Sequence, residues 1–307
     1  MTSATGAHAV PDRRAYRLTS IDMLRGLVIL IMALDHVRDF VMVGGVQDPM
    51  SDPNISPLLF MTRWVTHFCA PVFVLLAGTS AGLMAARKSP SALAAFLATR
   101  GLWIIFIEVT VLSTAYTFAP FGLEQLGGRT LVILQVLWAI GASMIVLAGA
   151  QFLGVRACIL IGAAIVLGHN LLDAVWPKNH PLETGSPLWS RAASRPPTLG
   201  PAAVVCAYAD RFRGWFKDTL VMFGRVPFAF YIAHFYLAHA LAVVIGVFQG
   251  FTVSQMMTLF VFNPKGFGLG LLGVYVAWLL VIVLLYPMCR WVTALKARRA
   301  DWWLSYL

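Results

Sequence analysis

The sequence predicts an all-α protein, a polytopic transmembrane helix bundle of about seven spans plus one short apolar or re-entrant segment, and three observations carry that prediction. Of the 307 residues 59% are hydrophobic and only 12% charged, where soluble domains are about one quarter charged. A soluble core cannot absorb that much apolar surface. Several apolar runs reach the roughly 20 residues that cross a hydrocarbon core. The runs are also continuous, without the two-residue alternation of outer-membrane barrel strands, so their backbone amides must close within helices.

The elements follow in order. Up to Arg17 the chain is polar, without the basic start, short apolar stretch and small-residue cleavage site of a signal peptide. Residues 1–17 are therefore expected to form a flexible cytoplasmic N-terminus, and the first apolar segment to be retained. Spans are expected at 21–43, 64–85, 102–118, 131–153, 156–176, 225–248 and 267–288, within one domain over 18–295. Trp302, Trp303 and Tyr306 read as an interfacial aromatic belt in a cytoplasmic or interfacial tail, 296–307.

Charge sets the orientation. Arg13, Arg14 and Arg17 precede the first span, Arg87, Lys88 and Arg100 follow the second, and Arg156 follows the fourth, whereas the first loop holds Asp48 and Asp52. The positive-inside rule makes the N-terminus cytoplasmic and the first loop external. The scheme then strains. Arg191, Arg195, Arg211, Arg213 and Lys217 fall in a loop, 177–215, that should face out, while Arg290, Lys296, Arg298 and Arg299 read as cytoplasmic. Seven spans cannot put both ends on one side. One more crossing between about 190 and 210 would restore parity, but the apolar stretch from Pro201 to Ala209 is too short to span.

The net charge of +10 sits in short clusters at span ends, which excludes a nucleic-acid partner and leaves the lipid bilayer as the expected one. Cys69, Cys158, Cys206 and Cys289 have no CxxC spacing and read as small buried hydrophobes. No set of metal ligands is expected to converge, and no Walker-type, dinucleotide-binding or serine-hydrolase motif is present.

The chemistry lies in buried ionisable residues. The first span carries Asp22, Arg25, Asp35, His36, Arg38 and Asp39, and each such group in hydrocarbon costs roughly 2.5–3.5 kcal/mol unless compensated. Arg25 and His36 are about three helical turns apart, so they share a face at a separation of about 16 Å along the axis. Depth then sorts the polar groups into two strata. Arg25, Arg87, Lys88, Arg100 and Arg225 lie toward the cytoplasm; His36, Arg63, His67, His169, Asp173 and His239 lie in the outer half; Glu108 and His234 lie near the middle. Arg63 with His67, and His169 with Asp173, are i,i+4 pairs. An inner arginine layer suits the phosphates of a donor, and an outer histidine layer suits activation of a hydroxyl or amine. Simpler readings compete. Asp22 with Arg25, and Asp35 with Arg38 and Asp39, also fit helix-end ion pairs, and Arg225 before Pro227 fits a snorkelling anchor. His234 and His239 are about 140° apart around a helix and cannot both face one ligand.

The blocks RLTSIDMLRGLVILIMALDHVRDF, TRWVTHFCAPVFVLLAGTSA, TRGLWIIFIEVTV, LQVLWAIGASMI, GHNLLD and FGRVPFAFYIAHFYLAHALA resemble, in this order, the bacterial membrane proteins grouped with heparan-α-glucosaminide N-acetyltransferase. The Arg25-to-His36 spacing also resembles the signature of broader transmembrane acyltransferase families. The resemblance implies transfer of an acetyl group from cytosolic acetyl-CoA to a sugar amine or hydroxyl on the far side of a bacterial inner membrane. It implies importance for Arg25 and His36, marks Asp22, Asp35, Arg38, Arg63 and His67, and marks Arg225, Pro227, His234 and His239 in the late block.

Together the two lines of reasoning give His36, Asp35 and His67 as catalytic candidates and Arg25, Arg100 and Arg225 as donor-binding ones, with acetyl-CoA as co-substrate, a glycan acceptor and no metal. Asp22, Arg38, Arg63, His169, Asp173, His234 and His239 surround them. The resemblance implies an asparagine at the position matching His36 in the lysosomal enzyme, so direct transfer and a covalent acetyl-histidine both stay open; it also implies additional spans after GHNLLD in relatives, so this chain is expected to be shortened in the middle, over 177–215, and association of copies stays open. A transporter for a sugar or anion, or a degenerate family member, is the alternative.

Overall fold

The computed structural model describes residues 13–44, 54–168, 206, 213–299 and 301, and among them helices dominate, with no strand beyond isolated bridges at Met42–Leu269 and Leu123–Arg129. Helix α1 (Arg13–Val41) is the hub. Met23, Leu24, Val28, Ile29, Met32, Ala33 and Val37 are buried around several of its faces, as befits a helix enclosed by others.

Helix α2 (Pro57–His67) starts where Ser56 accepts the Leu59 N–H at 3.3 Å and Pro57 takes the first turn. After a break at Phe68 the chain continues as α3 (Cys69–Ala85). The same Ser-Pro start, Ser89 with Pro90, opens α4 (Pro90–Ile107), which runs through a π-turn at Glu108–Leu112 into α5 (Ser113–Thr117). Two expected spans therefore begin earlier than hydropathy suggested, at 57 in place of 64 and at 90 in place of 102. Helix α6 (Val136–Ala150) starts later than the expected 131, because Gln135 gives its backbone N–H to the Glu108 carboxylate at 3.0 Å and not to a helix.

Helix α7 (Val155–Gly168) covers the first part of the span expected at 156–176, whose remainder lies outside the described residues. Helix α8 (Trp215–Arg225) lies beyond the expected loop, and α9 (Pro227–Phe248) starts afresh because a residue before proline resists the helical conformation. A short capped helix, α10 (Val253–Met256), precedes α11 (Leu271–Arg298), which runs ten residues past the expected end at 288. The segments 57–85, 90–117, 136–153, 227–248 and 271–298 are long and apolar enough to cross a membrane. Helix α1 is as long, and carries Asp22 and Arg25 before its midpoint and Asp35, His36, Arg38 and Asp39 near its end.

Helix α8 is clamped to α1 backbone to backbone. A Cβ on Gly26 would stand 1.8 Å from the Leu220 carbonyl oxygen, and one on Gly224 would stand 1.7 Å from that of Asp22. Gly101 and Gly141 bring α4 and α6 together in the same way, at 2.6 and 2.7 Å.

Contacts fix which ends meet. Gln151 donates to the Pro90 carbonyl at 3.2 Å, Lys296 donates to the Arg225 carbonyl at 3.1 Å, and α8 lies beside Asp22. The starts of α1 and α4, the end of α6, helix α8 and the end of α11 thus gather at one end of the bundle. Met42 and Leu269 meet at the other. Arg25 and Arg100 from the early part of the chain and Arg225 and Lys296 from the late part line one chamber at the first of these ends. The additional crossing expected between 190 and 210 lies outside the described residues.

Candidate active site

Two chambers lie along α1. The inner one, about 370 Å³, opens among the gathered basic ends, and its lining includes Arg25, Arg100, Arg225 and Lys296. Asp22, one turn before Arg25, binds that guanidinium at 3.0 Å and lies 3.7 Å from Arg225. Arg25 also reaches Ser80 Oγ at 3.3 Å. Arg25, Arg100, Arg225 and Lys296 make this a cation-lined rim, a setting for an anion with several oxygens. The rest of the lining is largely apolar, with Met32, Phe73, Leu76, Leu97, Ile104 and Met144.

The outer chamber, about 170 Å³, is lined by Asp35, His36, Asp39, Phe40, Tyr116, Gln135, Phe235 and Phe260. Tyr116 donates a short hydrogen bond to Gln135 Oε1. His36 Nδ1 lies 2.8 Å from His234 Nε2, and His234 Nδ1 lies 3.1 Å from the Phe230 carbonyl. A carbonyl only accepts, so His234 holds its proton on Nδ1 and its Nε2 accepts from His36 Nδ1–H. This leaves the lone pair of a neutral His36 on Nε2, which is the form a general base needs.

The carboxylate beside His36 has other partners. Asp35 binds Arg38 at 2.9 Å, Arg63 at 2.7 Å and the Thr66 hydroxyl at 3.0 Å, while Arg38 also binds Asp39 at 2.6 Å. Two arginines and two aspartates balance one another, as buried ions must. His36 is oriented by His234 instead.

The sequence-derived candidates are therefore distributed as follows. Arg25, Arg100 and Arg225 line one chamber; Asp35 and His36 line the other; Asp22, Arg38, Arg63 and His234 brace the two. His67, half-buried at the end of α2, lines neither chamber. His239 is turned elsewhere on α9, with its ring nitrogens 2.8 Å from the Ala115 carbonyl and 3.0 Å from that of Met256, and it stacks on Phe118 at 3.9 Å. His169 and Asp173 lie outside the described residues.

Sequence reasoning missed Lys296, read as tail, and Tyr116, Gln135 and Tyr231. Tyr231 was within reach of the argument, since it precedes His234 by one helical turn on the same face. Its side chain lines the inner chamber, and its ring stands edge-on to His36 with centroids 6.0 Å apart. At this point the rings of Tyr231 and His36 stand between the two chambers.

The fold is that of a helical membrane protein, with a cation-lined chamber and an imidazole-lined chamber along its first helix. Residues 17–189, more than half of the chain, match the family described as heparan-alpha-glucosaminide N-acetyltransferase, catalytic, and the chain belongs to that family. It is thereby a member of a membrane acetyltransferase family. The match includes Asp22, Arg25, Asp35, His36, Arg38, Arg63 and Arg100, and ends before Arg225, Tyr231, His234 and Lys296. Comparisons with curated proteins and with solved structures give no match.

Proposed function

We propose that the chain transfers an acetyl group from cytosolic acetyl-CoA to a sugar amine or hydroxyl at the opposite face of a bacterial inner membrane. The observation that carries this reading is the edge-on contact at 6.0 Å between Tyr231, which lines a phosphate-suited chamber, and His36, which lines the other and whose Nε2 holds a lone pair. Arg25, Arg100, Arg225 and Lys296 hold the CoA phosphates, with Asp22 keeping Arg25 in place. The acetyl thioester reaches along the apolar walls to the partition. From the outer chamber the acceptor meets it there, and His36 takes the acceptor's proton. Arginines suit this donor because their planar forks bind phosphate oxygens in pairs. The basic residues at the arginine end support a cytosolic placement of that end.

The test uses purified protein, labelled acetyl-CoA and a mixture of glycan acceptors. The wild type is expected to label an acceptor and to bind CoA saturably. Replacing His36 with alanine should lower the turnover number at least about 100-fold, the lower range for a general base. Arg25→Ala should instead raise KM for acetyl-CoA. Transfer that survives His36→Ala unchanged refutes the role of the base. Solute flux in liposomes without CoA binding refutes the enzyme.

A further inference from the structure

One polar group in the partition has no part in that scheme. Tyr231 is 4% exposed, and its hydroxyl is sealed from solvent without a hydrogen-bond partner among the described residues. The Glu108 carboxylate lies within electrostatic reach of it. An unpaired buried donor is unfavourable, and a phenyl ring would fill the same space without that penalty. The position gives the hydroxyl a use. Tyr231 lines the donor chamber, its ring faces His36 at 6.0 Å, and Phe235, which lines the acceptor chamber, packs against it at 5.2 Å.

We propose that Tyr231 is a catalytic residue whose hydroxyl donates a hydrogen bond to the thioester carbonyl oxygen as that oxygen becomes an oxyanion. This deepens the acetyltransferase reading and rests on it. The acceptor nitrogen or oxygen attacks the thioester carbon, the new C–N or C–O bond forms, and the proton on the attacking atom passes to His36 Nε2. The carbonyl π electrons move to oxygen, opposite the Tyr231 O–H. When the oxyanion collapses, the C–S bond breaks and CoA leaves as a thiolate, which balances the proton held on His36. Such a donor acts where charge develops and binds the ground state little, so it raises turnover without tightening the donor.

Tyr231→Phe separates this role from packing. Because the hydroxyl has no partner to lose, the variant is expected to keep or raise the thermal midpoint. Its KM for acetyl-CoA and its Kd for CoA should match the wild type, while kcat falls about 100- to 1,000-fold. A kcat within about threefold of wild type overturns the proposal, and so does a fall in kcat accompanied by a lower thermal midpoint or weaker CoA binding. Measuring His36→Ala beside it keeps the two readings apart. If Tyr231→Phe lowers kcat as stated while His36→Ala does not, the base assignment fails and the oxyanion donor stands. A wild type that transfers no acetyl group overturns both.

Discussion

Adding a single methyl group at Gly26 tests whether the clamp between α1 and α8 shapes the donor site. A Cβ there would lie 1.8 Å from Leu220 O, 2.8 Å from Leu220 C and 3.0 Å from Gly224 N. All three are backbone atoms, so no rotamer change relieves the clash. To reach even the 3.0 Å below which real Cβ contacts essentially never fall, the helices must part by about 1.2 Å. Overpacking of this kind costs about 1–3 kcal/mol. Helix α8 ends in Arg225, whose contact with Asp22 is already 3.7 Å long, so the same movement pulls one cation off the inner rim. Loss of one charge-assisted contact is worth about 1.4 kcal/mol, or tenfold in affinity. Gly26→Ala is therefore expected to lower the thermal midpoint in detergent and to weaken CoA binding about tenfold by calorimetry. Gly78→Ala is the control, since a Cβ there meets nothing within 4 Å, and helical glycine to alanine is neutral or favourable. A Gly26→Ala protein with wild-type midpoint and wild-type CoA affinity refutes the reasoning.

Two further outcomes follow from the outer network. Asp35→Ala leaves Arg38 and Arg63 without the carboxylate they share, and breaking such a pair costs about 3–5 kcal/mol; the expected result is a large drop in thermal midpoint, and an unchanged midpoint contradicts the pairing. His234→Leu removes the acceptor that keeps the His36 proton on Nδ1, so kcat should fall by about tenfold or more with KM for acetyl-CoA unchanged, whereas His234→Gln, whose amide oxygen can accept that proton, should retain more activity; equal losses in the two variants contradict the tautomer argument.

Hydropathy made the bundle legible because the long apolar helices have little alternative to spanning. It misplaced several ends because capping chemistry, not apolarity, starts them. Ser89 and Pro90 open α4 well before its apolar centre, and the Glu108 carboxylate holds Gln135 out of α6. Helix α8 escaped notice because Trp215–Arg225 is short and mixed in character, and only the approach of Gly224 to Asp22 reveals what its apolar stripe is for. At the site, depth was readable from the rise per residue, so Arg25, Arg100 and Arg225 fell in one layer and also meet in one chamber. Convergence across helices was not readable. Nothing local says that Lys296 joins those arginines, or that His234 and not a carboxylate orients His36.

The two ends of α1 differ in charge balance, and that difference bears on direction. At the inner end Arg25 and Arg225 share the one carboxylate of Asp22, and Lys296 lines the same chamber, a setting that suits an incoming phosphate. At the outer end Arg38 and Arg63 are matched by Asp35 and Asp39, so the surroundings of His36 are close to neutral overall. On that reading a neutral imidazole there keeps its Nε2 lone pair until the acceptor gives up a proton. On the proposed reaction the bulky, highly charged donor is kept at the end that attracts it, and only the small uncharged acetyl group is handed to the acceptor. Moving CoA itself through hydrocarbon would require desolvating every phosphate charge, which is far more costly than placing two chambers back to back on one helix.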